Sequence, residues 1–471
     1  MKTNVPVRRA PVFTHEGAPA KHLTPHQELA RTVATCMLWE DNFYENGVSI
    51  ADRIKALVPQ CDPTFVAGCA VEARSKMNLR HAPLLLAREM ARSSPAHRQL
   101  VGGLLPAIIQ RADELAEFLA LYWKDNPDQP ISAQVKKGLR DAFNKFDEYQ
   151  LAKYDKAGGV RLRDVAFLTR VKPKDPDLLA RLVNRDYIPI KTKGGNEIEL
   201  PVDKRLGYGH TEDGNAYLNP GLKSPETWEN RLSAGEDKKT VFEDLMANRK
   251  LFGLAFLRNL RNMEQAGVAK RTVAEYAANV NISRILPFRF IAAARVLPQW
   301  EDVIEPMMLR ACEGRPKLRG HTVVLLDVSG SMNEKISAKS DIRRLDAAMG
   351  VAILLREVCE EISIVTFSTN VVAVPPRRGF ALAEAIDKSQ YHGNTYLGAA
   401  VATINPMQHD RLIVLTDEQS HDPVGKPKAR LPYMINVASH QNGVGYGDWN
   451  RIDGWSEAVI DYIEVAERST M

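Results

Sequence analysis

One short stretch constrains the fold more than any other: an apolar run followed at once by an acid and two spaced hydroxyls. Residues 322–326 read Thr-Val-Val-Leu-Leu, and residues 327–332 read Asp-Val-Ser-Gly-Ser-Met. A short apolar run with polar boundaries is typical of a buried strand in a parallel sheet. The sequence therefore predicts a strand whose carboxyl end delivers oxygen ligands for Mg²⁺, at the edge where α/β sheets bind ligands.

Two further segments can complete such a site. Residues 412–417 (Leu-Ile-Val-Leu-Thr-Asp) are another apolar strand ending in Asp, and residues 393–398 (Gly-Asn-Thr-Tyr-Leu-Gly) form a glycine-bounded loop before a helix. The candidate metal ligands are Asp327, Ser329, Ser331, Thr395 and Asp417. Two carboxylates and three hydroxyls are sufficient to hold Mg²⁺ with some waters retained. A capped turn is the alternative for residues 327–331 alone, and a bound metal could also be purely structural.

Strands and helices alternate through the rest of the carboxyl-terminal part. We predict strands at 322–326, 362–367, 371–374, 412–416 and 433–437, with helices around 342–352, around 381–386 and from residue 455. This alternation predicts a doubly wound sheet of parallel strands with helices on both faces.

The preceding part of the chain has a helical pattern instead. Its apolar-rich segments are residues 29–38, 65–74, 82–91, 100–109 and 115–122, and breaks such as 61–63 and 93–95 divide them. Helical hairpins of this kind stack because one alone cannot bury its apolar face. An irregular helical domain is the alternative, since the repeats are too dissimilar to fix a period.

Two segments interrupt the helical pattern. Residues 187–224 are rich in Pro and Gly, and residues 188–200 predict a small hairpin. Residues 314–320 (Gly-Arg-Pro-Lys-Leu-Arg-Gly) are polar and rich in breakers. They predict a boundary between a helical domain of residues 1–318 and an α/β domain of residues 319–471.

Composition limits the class of protein. The chain has 471 residues and 44% apolar content, which is ordinary for a globular protein of two domains. It contains no run of eighteen apolar residues, and its basic start lacks the apolar core of a secretory signal. Its five cysteines never form C-x-x-C. That pattern favours free thiols in the cytoplasm over a zinc site or disulfides.

The net charge of +5 conceals an asymmetry. From His321 onward there are 14 basic and 19 acidic residues, a net of −5, which leaves 63 − 14 = 49 basic and 58 − 19 = 39 acidic residues before it, a net of +10. A basic half suggests a polyanionic partner, although an ordinary mildly basic surface is the alternative.

The most cationic stretch lies within residues 131–174. A helix over 133–146 would bury Val135, Leu139 and Phe143 and leave its cations on the opposite face. Such cations neutralise phosphates and release counterions, but the interleaved acids also fit a plain soluble surface. The candidate RNA-binding residues are Lys136, Lys137, Arg140, Lys145, Lys153, Arg161, Arg163, Arg170, Lys172 and Lys174.

Common catalytic motifs are missing. Gly425-Lys426 is followed by Pro instead of the Ser or Thr of a phosphate-binding loop, residues 443–447 lack dinucleotide-loop spacing, and no His-Glu-x-x-His occurs. We therefore expect no catalytic residue and no enzymatic activity, with a metal-dependent nuclease as a disfavoured alternative.

The metal motif resembles a known one. Residues 327–331, the loop Thr395 and residues 416–417 resemble the metal-ion-dependent adhesion site of von Willebrand factor A domains. In that family the two Ser and the Thr coordinate the ion, and the Asp residues hold it partly through water. An acidic group of a partner often completes the shell. The resemblance implies a divalent ion, Mg²⁺ above all.

The helical part resembles the TROVE module of Ro autoantigen proteins. The resemblance lies in residues 37–45, 79–86, 256–263 and 286–289. Ro proteins join a TROVE module to a von Willebrand A domain in this order, and the compact length resembles bacterial or phage versions. The resemblance implies a mainly α fold, in which a ring-like α-solenoid of HEAT-type repeats precedes the doubly wound α/β domain. We expect a monomeric ring.

The same resemblance implies a function. Family members bind small noncoding Y RNAs on an outer basic surface and single-stranded ends of misfolded or immature RNA through the central hole. Bacterial relatives work with exoribonucleases, including polynucleotide phosphorylase. Residues 153–154 (Lys-Tyr) match a pair beside the family's RNA surface, and in residues 168–173 Arg170 replaces the family's His. The implied function is an RNA-binding scaffold for RNA quality control. The alternative is a metal-dependent protein-adhesion module without RNA binding.

Overall fold

The computed structural model describes most of the chain. The described residues are 11–20, 22–35, 47–127, 130–155, 159–172, 176–183, 187–191, 197–201, 222, 227–283, 285, 287–315, 317–336, 341–438, 440, 442–445, 447–454, 459–460, 462–463 and 467. The chain divides into two compact units, residues 1–54 with 231–471, and residues 55–230. Among the described residues, no helix combines the length and apolar character that crossing a bilayer requires.

The amino-terminal segment begins with a small hairpin. Strands β1 (Val12–Phe13) and β2 (Pro19–Ala20) pair antiparallel, and helices α1 (Pro25–Thr35) and α2 (Gly47–Leu57) follow. Sequence reasoning placed a helix at 29–38 but did not foresee the hairpin or α2.

The unit of residues 55–230 is a stack of short helices. They are α3 (Pro63–Ser75), α4 (His81–Arg92), α5 (Pro95–Ile108), α6 (Asp113–Trp123), α7 (Ala133–Phe143), α8 (Glu148–Tyr154), α9 (Leu162–Thr169) and α10 (Pro176–Val183). Helices α3, α4 and α5 pack together, α5 packs on α7, and both α6 and α7 pack on α9. This stacking of sequence neighbours confirms the predicted helical array within this unit.

The predicted breaks are helix starts. Asp62 accepts hydrogen bonds from the backbone N–H groups of Thr64 (2.9 Å) and Phe65 (3.1 Å), and a proline follows it in the first turn of α3. Ser94 caps α5 in the same way, also before a proline. A short polar acceptor satisfies the unpaired N–H groups, and proline removes one of them.

Residues 187–201 form the predicted hairpin. Strand β3 (Tyr187–Lys191) pairs antiparallel with β4 (Glu197–Pro201), with Ile188 opposite Leu200. Most of the remainder of 187–224 lies outside the described residues.

A buried carboxylate ties α3 to α6. Glu114 accepts hydrogen bonds from Arg74 Nη2 (2.8 Å) and Arg80 Nε (3.2 Å) and from the backbone N–H groups of Gln110 (2.8 Å) and Arg111 (3.1 Å). We expect Glu114→Gln to lower the free energy of unfolding by about 2 kcal/mol, because buried Arg74 loses its charged acceptor. Urea denaturation measures this change.

The matched control is Glu117→Gln, which also removes a carboxylate that binds Arg80 (2.9 Å) but is 36% exposed. Exposed ion pairs contribute little, so we expect a decrease below about 1 kcal/mol. Equal destabilisation by the two variants would contradict the role assigned to Glu114.

The other unit joins helices to a sheet. Its helices before the sheet are α11 (Trp228–Ser233), α12 (Lys238–Ala247), α13 (Gly253–Gln265), α14 (Lys270–Ala277), α15 (Pro287–Val296) and α16 (Glu301–Ala311). The sheet consists of β5 (Leu318–Asp327), β6 (Cys359–Phe367), β7 (Val371–Ala373), β8 (Arg411–Thr416), β9 (Leu431–Asn436) and β10 (Asn450–Asp453), and its helices are α17 (Arg344–Val358), α18 (Gly379–Asp387) and α19 (Leu397–Ile404). Gly350 of α17 lies so close to α15 that a Cβ there would be 2.9 Å from the Phe288 backbone nitrogen.

The strand order in the sheet is β10-β9-β8-β5-β6-β7, and β5 to β10 are parallel apart from β7. The doubly wound prediction is confirmed, but the expectation of parallel strands was wrong for β7. Only residues 368–370 join it to β6, and a parallel pair needs a much longer crossover. Strand β10 was not predicted, and the start of the predicted final helix, residues 455–458, lies outside the described residues.

Candidate functional site

Three loops meet at the carboxyl edge of the sheet, between its central strands β5 and β8. Asp327 ends β5, and Asp417 directly follows β8. Chain connections leave β5 and β8 toward opposite sides, which is the position where open α/β sheets form a ligand crevice. The Gly330 N–H donates to the Gly393 carbonyl (3.0 Å), which ties the first loop to the loop that carries Thr395.

Four of the five predicted ligands lie close together, and the loop that carries Thr395 is tied to the same edge. Ser331 Oγ donates to Asp417 Oδ2 (2.6 Å), and Ser329 Oγ lies 3.4 Å from Ser331 Oγ. Asp327 accepts hydrogen bonds from the Ser329 N–H (2.8 Å) and Thr416 Oγ1 (2.6 Å). Ligand oxygens about 2.1 Å from Mg²⁺ and at right angles to each other lie about 3 Å apart, so this oxygen set fits the ion.

Charge at the site also suits a cation. Asp327 and Asp417 are both fully buried. Burial, and secondarily the neighbouring Asp417, raises the pKa of Asp327 to about 7. A divalent cation would offset both the desolvation of the carboxylates and their repulsion. The residues present therefore fit a hard divalent ion.

Arg344, which sequence reasoning missed, lies at the rim of this site. Its buried guanidinium Nη1 donates to the Ser331 carbonyl (3.2 Å) and lies 3.4 Å from Asp417 Oδ2. The pair Arg343-Arg344 looks like an ordinary start of a solvated helix, so no local pattern reveals this contact.

His421 was also missed, and it holds Thr395. The Thr395 N–H donates to His421 Nδ1 (3.1 Å), while the His421 N–H donates to the Thr395 carbonyl (2.9 Å). The loop after Asp417 therefore fixes the third ligand loop. A histidine four residues beyond the Thr-Asp pair was the only available signal.

The cysteines are separate from this site. Cys61, Cys69, Cys312 and Cys359 are free thiols, and burial raises the pKa of Cys69 and of Cys312 to about 12. Such thiols are unreactive. Within the described part of the chain, no three His, Cys, Asp or Glu side chains are grouped to hold a metal ion.

The predicted cationic face lies on α7, α8 and α9. Lys136 and Lys137 are exposed on α7, opposite the buried Val135, Leu139 and Phe143. Arg140, Lys153, Arg161 and Arg163 are half-buried, whereas Arg170 and Lys172 are exposed. In the described structure, Lys136, Lys137, Arg140 and Arg170 form no ion pair. Arg163 does so, with Nε 4.0 Å from Asp164 Oδ1.

Two predicted RNA-binding residues differ from the rest. Lys145 Nζ donates to the carbonyls of Pro106 (2.5 Å) and Ile109 (2.6 Å), and burial lowers its pKa. It satisfies carbonyls at the end of α5, which leaves it poorly placed for a phosphate. Helix α7 ends at Phe143, so Lys145 lies beyond the predicted helix surface. Lys174 lies outside the described residues.

Exposed apolar side chains accompany the cations. Phe167 is 43% and Leu168 is 42% exposed, three and two residues before Arg170, which caps the end of α9 in a left-handed conformation (φ 56°). The Tyr154 ring lies 5.6 Å from Lys153 Nζ and 4.5 Å from the Arg111 guanidinium carbon. An aromatic side chain that faces water beside cations suits a nucleic-acid base beside its phosphates.

A second cationic cluster, missed from the sequence, lies on α13 and α15. Arg258, Arg261 and Arg289 are exposed, and Phe252 is 69% exposed at the start of α13. Although part of the Arg289 side chain reaches the surface, protein atoms packed around its guanidinium and the nearby Arg258 lower its pKa. Among the described residues, neither Arg258 nor Arg289 forms an ion pair, so the cluster carries an uncompensated positive charge.

Comparison with known proteins finds matches to two domain models in this chain. A TROVE domain model matches residues 208–366, and a von Willebrand factor type A domain model matches residues 322–419. The crystal structure of the Deinococcus radiodurans Ro (Rsr) protein superposes with a TM-score of 0.58 at 16% identity, covering 95% of this chain and all of that one. The chain therefore matches a TROVE domain and a von Willebrand factor type A domain, and it shares the fold of that Ro protein. Because the two domain matches overlap, the boundary at 318/319 stays a prediction.

Sequence similarity also extends to larger proteins. Telomerase protein component 1 of Rattus norvegicus is 27% identical over 312 residues, and that of Mus musculus is 28% identical over 303 residues. The matches cover 54% and 52% of this chain but only 12% and 11% of those proteins.

Proposed function

We propose that this chain is a non-catalytic RNA-binding scaffold that also docks a protein partner through a divalent metal ion. The observation that carries the RNA part is a set of exposed cations without ion pairs among the described residues, Lys136 and Lys137 on α7 and Arg170 directly after α9, together with the exposed Phe167 and Leu168 of α9. The match to a TROVE domain model, whose family binds RNA, supports the same proposal.

The RNA class follows from these two kinds of contact. Phosphates bind exposed cations such as Lys136 and Lys137, and unstacked bases of loops or ends stack on aromatic rings such as Phe167. We propose a Y-like small noncoding RNA as the main ligand of this face. We further propose that the scaffold receives single-stranded ends of misfolded or immature RNA in the cytoplasm and presents them to an exoribonuclease, with polynucleotide phosphorylase as the first candidate.

The first test is charge reversal of Lys137, Arg140, Lys153 and Arg170 to Glu. Each phosphate contact contributes about 0.9 to the slope of log affinity against log salt, or about 0.7 on single strands. We therefore expect the slope for a stem–loop RNA to fall by about 3 and the affinity at low salt to fall at least about 100-fold. Electrophoretic shifts across a salt series measure both quantities.

Two controls separate the contributions. The first control reverses the charge of four exposed residues on other elements, Lys238, Lys239, Arg271 and Lys388. It changes the net charge by the same amount and should leave the slope of log affinity against log salt near that of the parent. Phe167→Ala should weaken binding by about 1–3 kcal/mol without changing the slope, since stacking is not ionic. If the RNA affinity of the parent does not depend on the salt concentration, the assignment of this face to RNA binding is wrong.

The metal part of the proposal uses the three-loop site. Asp327, Ser329, Ser331, Thr395 and Asp417 would hold Mg²⁺, and the ion would bind an acidic group of a partner protein. Tyr391, 85% exposed beside the loop that carries Thr395, gives the partner an aromatic contact at the rim. If the parent captures a protein in Mg²⁺ but binds no RNA, the alternative of a pure adhesion module replaces the scaffold. Labelled RNA that is degraded by the pure protein in Mg²⁺ would instead establish a nuclease.

A further inference from the structure

The amino-terminal hairpin holds the loop that follows Asp417 by three consecutive residues. Thr14 Oγ1 donates to the Ser420 carbonyl (2.8 Å), the His15 N–H donates to Gln419 Oε1 (2.7 Å), and Glu16 Oε2 lies 3.1 Å from His421 Nε2. Thr14, Gln419 and Ser420 are buried. The two segments are about 400 residues apart in the chain, so the contact belongs to the tertiary fold.

Helix α1 adds a buried ion pair to the same loop. Arg31 Nη1 lies 2.8 Å from Glu418 Oε2, and the same guanidinium donates to the carbonyls of His440 (2.5 Å) and Asn442 (3.0 Å). Glu418 also contacts Arg451 Nε (3.2 Å). Its φ of 61° is left-handed, which is uncommon for a residue with a side chain and needs support from its surroundings. We call Thr14, His15, Glu16 and Arg31 the amino-terminal clamp.

The clamped loop reaches two of the proposed metal ligands. The Gln419 N–H donates to Asp417 Oδ1 (3.2 Å), and His421 Nδ1 accepts from the Thr395 N–H (3.1 Å). Since Nδ1 accepts, the neutral ring carries its proton on Nε2 and donates it to Glu16. A carboxylate that orients a histidine in this way fixes the position of what the histidine holds.

We propose that the amino-terminal clamp positions the metal ligands, so that metal binding and docking of residues 14–31 stabilise each other. The inference rests on the proposed metal site. The clamp residues do not touch the ion, and they act through Gln419 and His421. Linkage makes the effect reciprocal: the factor by which the docked clamp tightens metal binding equals the factor by which the metal stabilises the docked clamp.

The first test measures Mn²⁺ affinity by calorimetry for the parent, Glu16→Ala and Glu28→Ala. Loss of an orienting partner commonly weakens metal binding about 10–100-fold, and we expect about 10-fold for Glu16→Ala. Glu16 is 31% exposed at its side chain, so this variant should fold. Glu28 lies in the first turn of α1, and its removal changes the same charge on the same segment without contacting the loop.

The second test needs no variant. The N–H groups of Thr14 and Ala18 donate within the hairpin, to the Ala18 carbonyl (2.8 Å) and to Thr14 Oγ1 (2.9 Å). Hydrogen exchange of these two N–H groups in the parent should slow by about 10-fold at saturating Mg²⁺, provided that exchange requires the hairpin to separate from the loop that follows Asp417. If the parent binds Mn²⁺ but Glu16→Ala binds it equally and exchange does not change, the clamp proposal is overturned alone. If the parent binds no divalent ion, the metal proposal is overturned and the clamp proposal with it.

Discussion

Arg31→Ala is expected to lower the free energy of unfolding by about 3–5 kcal/mol, the usual effect of removing one partner of a buried ion pair. Glu418 is fully buried, and among the described residues it would keep Arg451 as its one cationic partner. The carbonyls of His440 and Asn442 would lose their donors as well. Chemical denaturation followed by circular dichroism measures the change.

Two comparisons make this prediction specific. Arg271→Ala removes an arginine whose side chain is 90% exposed, and it should change the stability by less than about 0.5 kcal/mol. The double variant Arg31→Met with Glu418→Gln removes both charges together and should be clearly more stable than Arg31→Ala. An Arg31→Ala protein within about 1 kcal/mol of the parent would show that the pair contributes little.

Asp327→Asn is expected to weaken divalent-ion binding by at least about 100-fold, since the charge of the ligand set strongly tunes the affinity of oxygen sites. Asparagine keeps the shape of the side chain but removes one of the two carboxylates. Calorimetry with Mg²⁺ and Mn²⁺ measures the affinity. Asp341→Asn is the matched control, because that carboxylate is fully exposed and pairs only with Lys335 among the described residues.

The same variant separates loss of the metal from loss of the fold. Without metal, Asp327 and Asp417 are two buried carboxylates that repel each other, so Asp327→Asn should unfold no more readily than the parent. Added Mg²⁺ should raise the melting temperature of the parent but not of the variant, since only a bound ligand stabilises the folded state. An equal rise in both proteins would place the ion elsewhere.

The main ligands could be predicted from the sequence because local patterns encode them. An apolar run that ends in Asp is readable as a buried strand, and parallel strands bring their carboxyl ends to one edge. Residues 327–331 and Asp417 therefore had to come close once the strands were recognised, whereas Thr395 was chosen because it lies in a glycine-bounded loop. The helix starts at Asp62 and Ser94 also depend on a local pattern, because a capping residue and its N–H donors lie within three residues of each other.

The direction of strand β7 and the hydrogen-bond partners of Lys145 could not be predicted from the sequence. The antiparallel β7 depends on the brevity of residues 368–370, and an apolar pattern gives no strand direction. Lys145 has the positive charge of a phosphate ligand, but in the folded chain its ammonium group donates to the carbonyls of Pro106 and Ile109. A cation binds whichever acceptors packing brings to it, and its neighbours along the chain do not specify them.

The donor atoms of the proposed metal site and the charge difference between the two halves are thus properties of the order of residues in the sequence. The supports of that site depend on folding: Arg344 lies 73 residues from Asp417, and Arg31 lies 387 residues from Glu418. Periodicity reports which face of an element is buried, whereas a buried ion pair depends on where two distant elements pack. For that reason the oxygen ligands can be predicted from the sequence, whereas the arginines and the amino-terminal clamp around them are identified only from the folded chain.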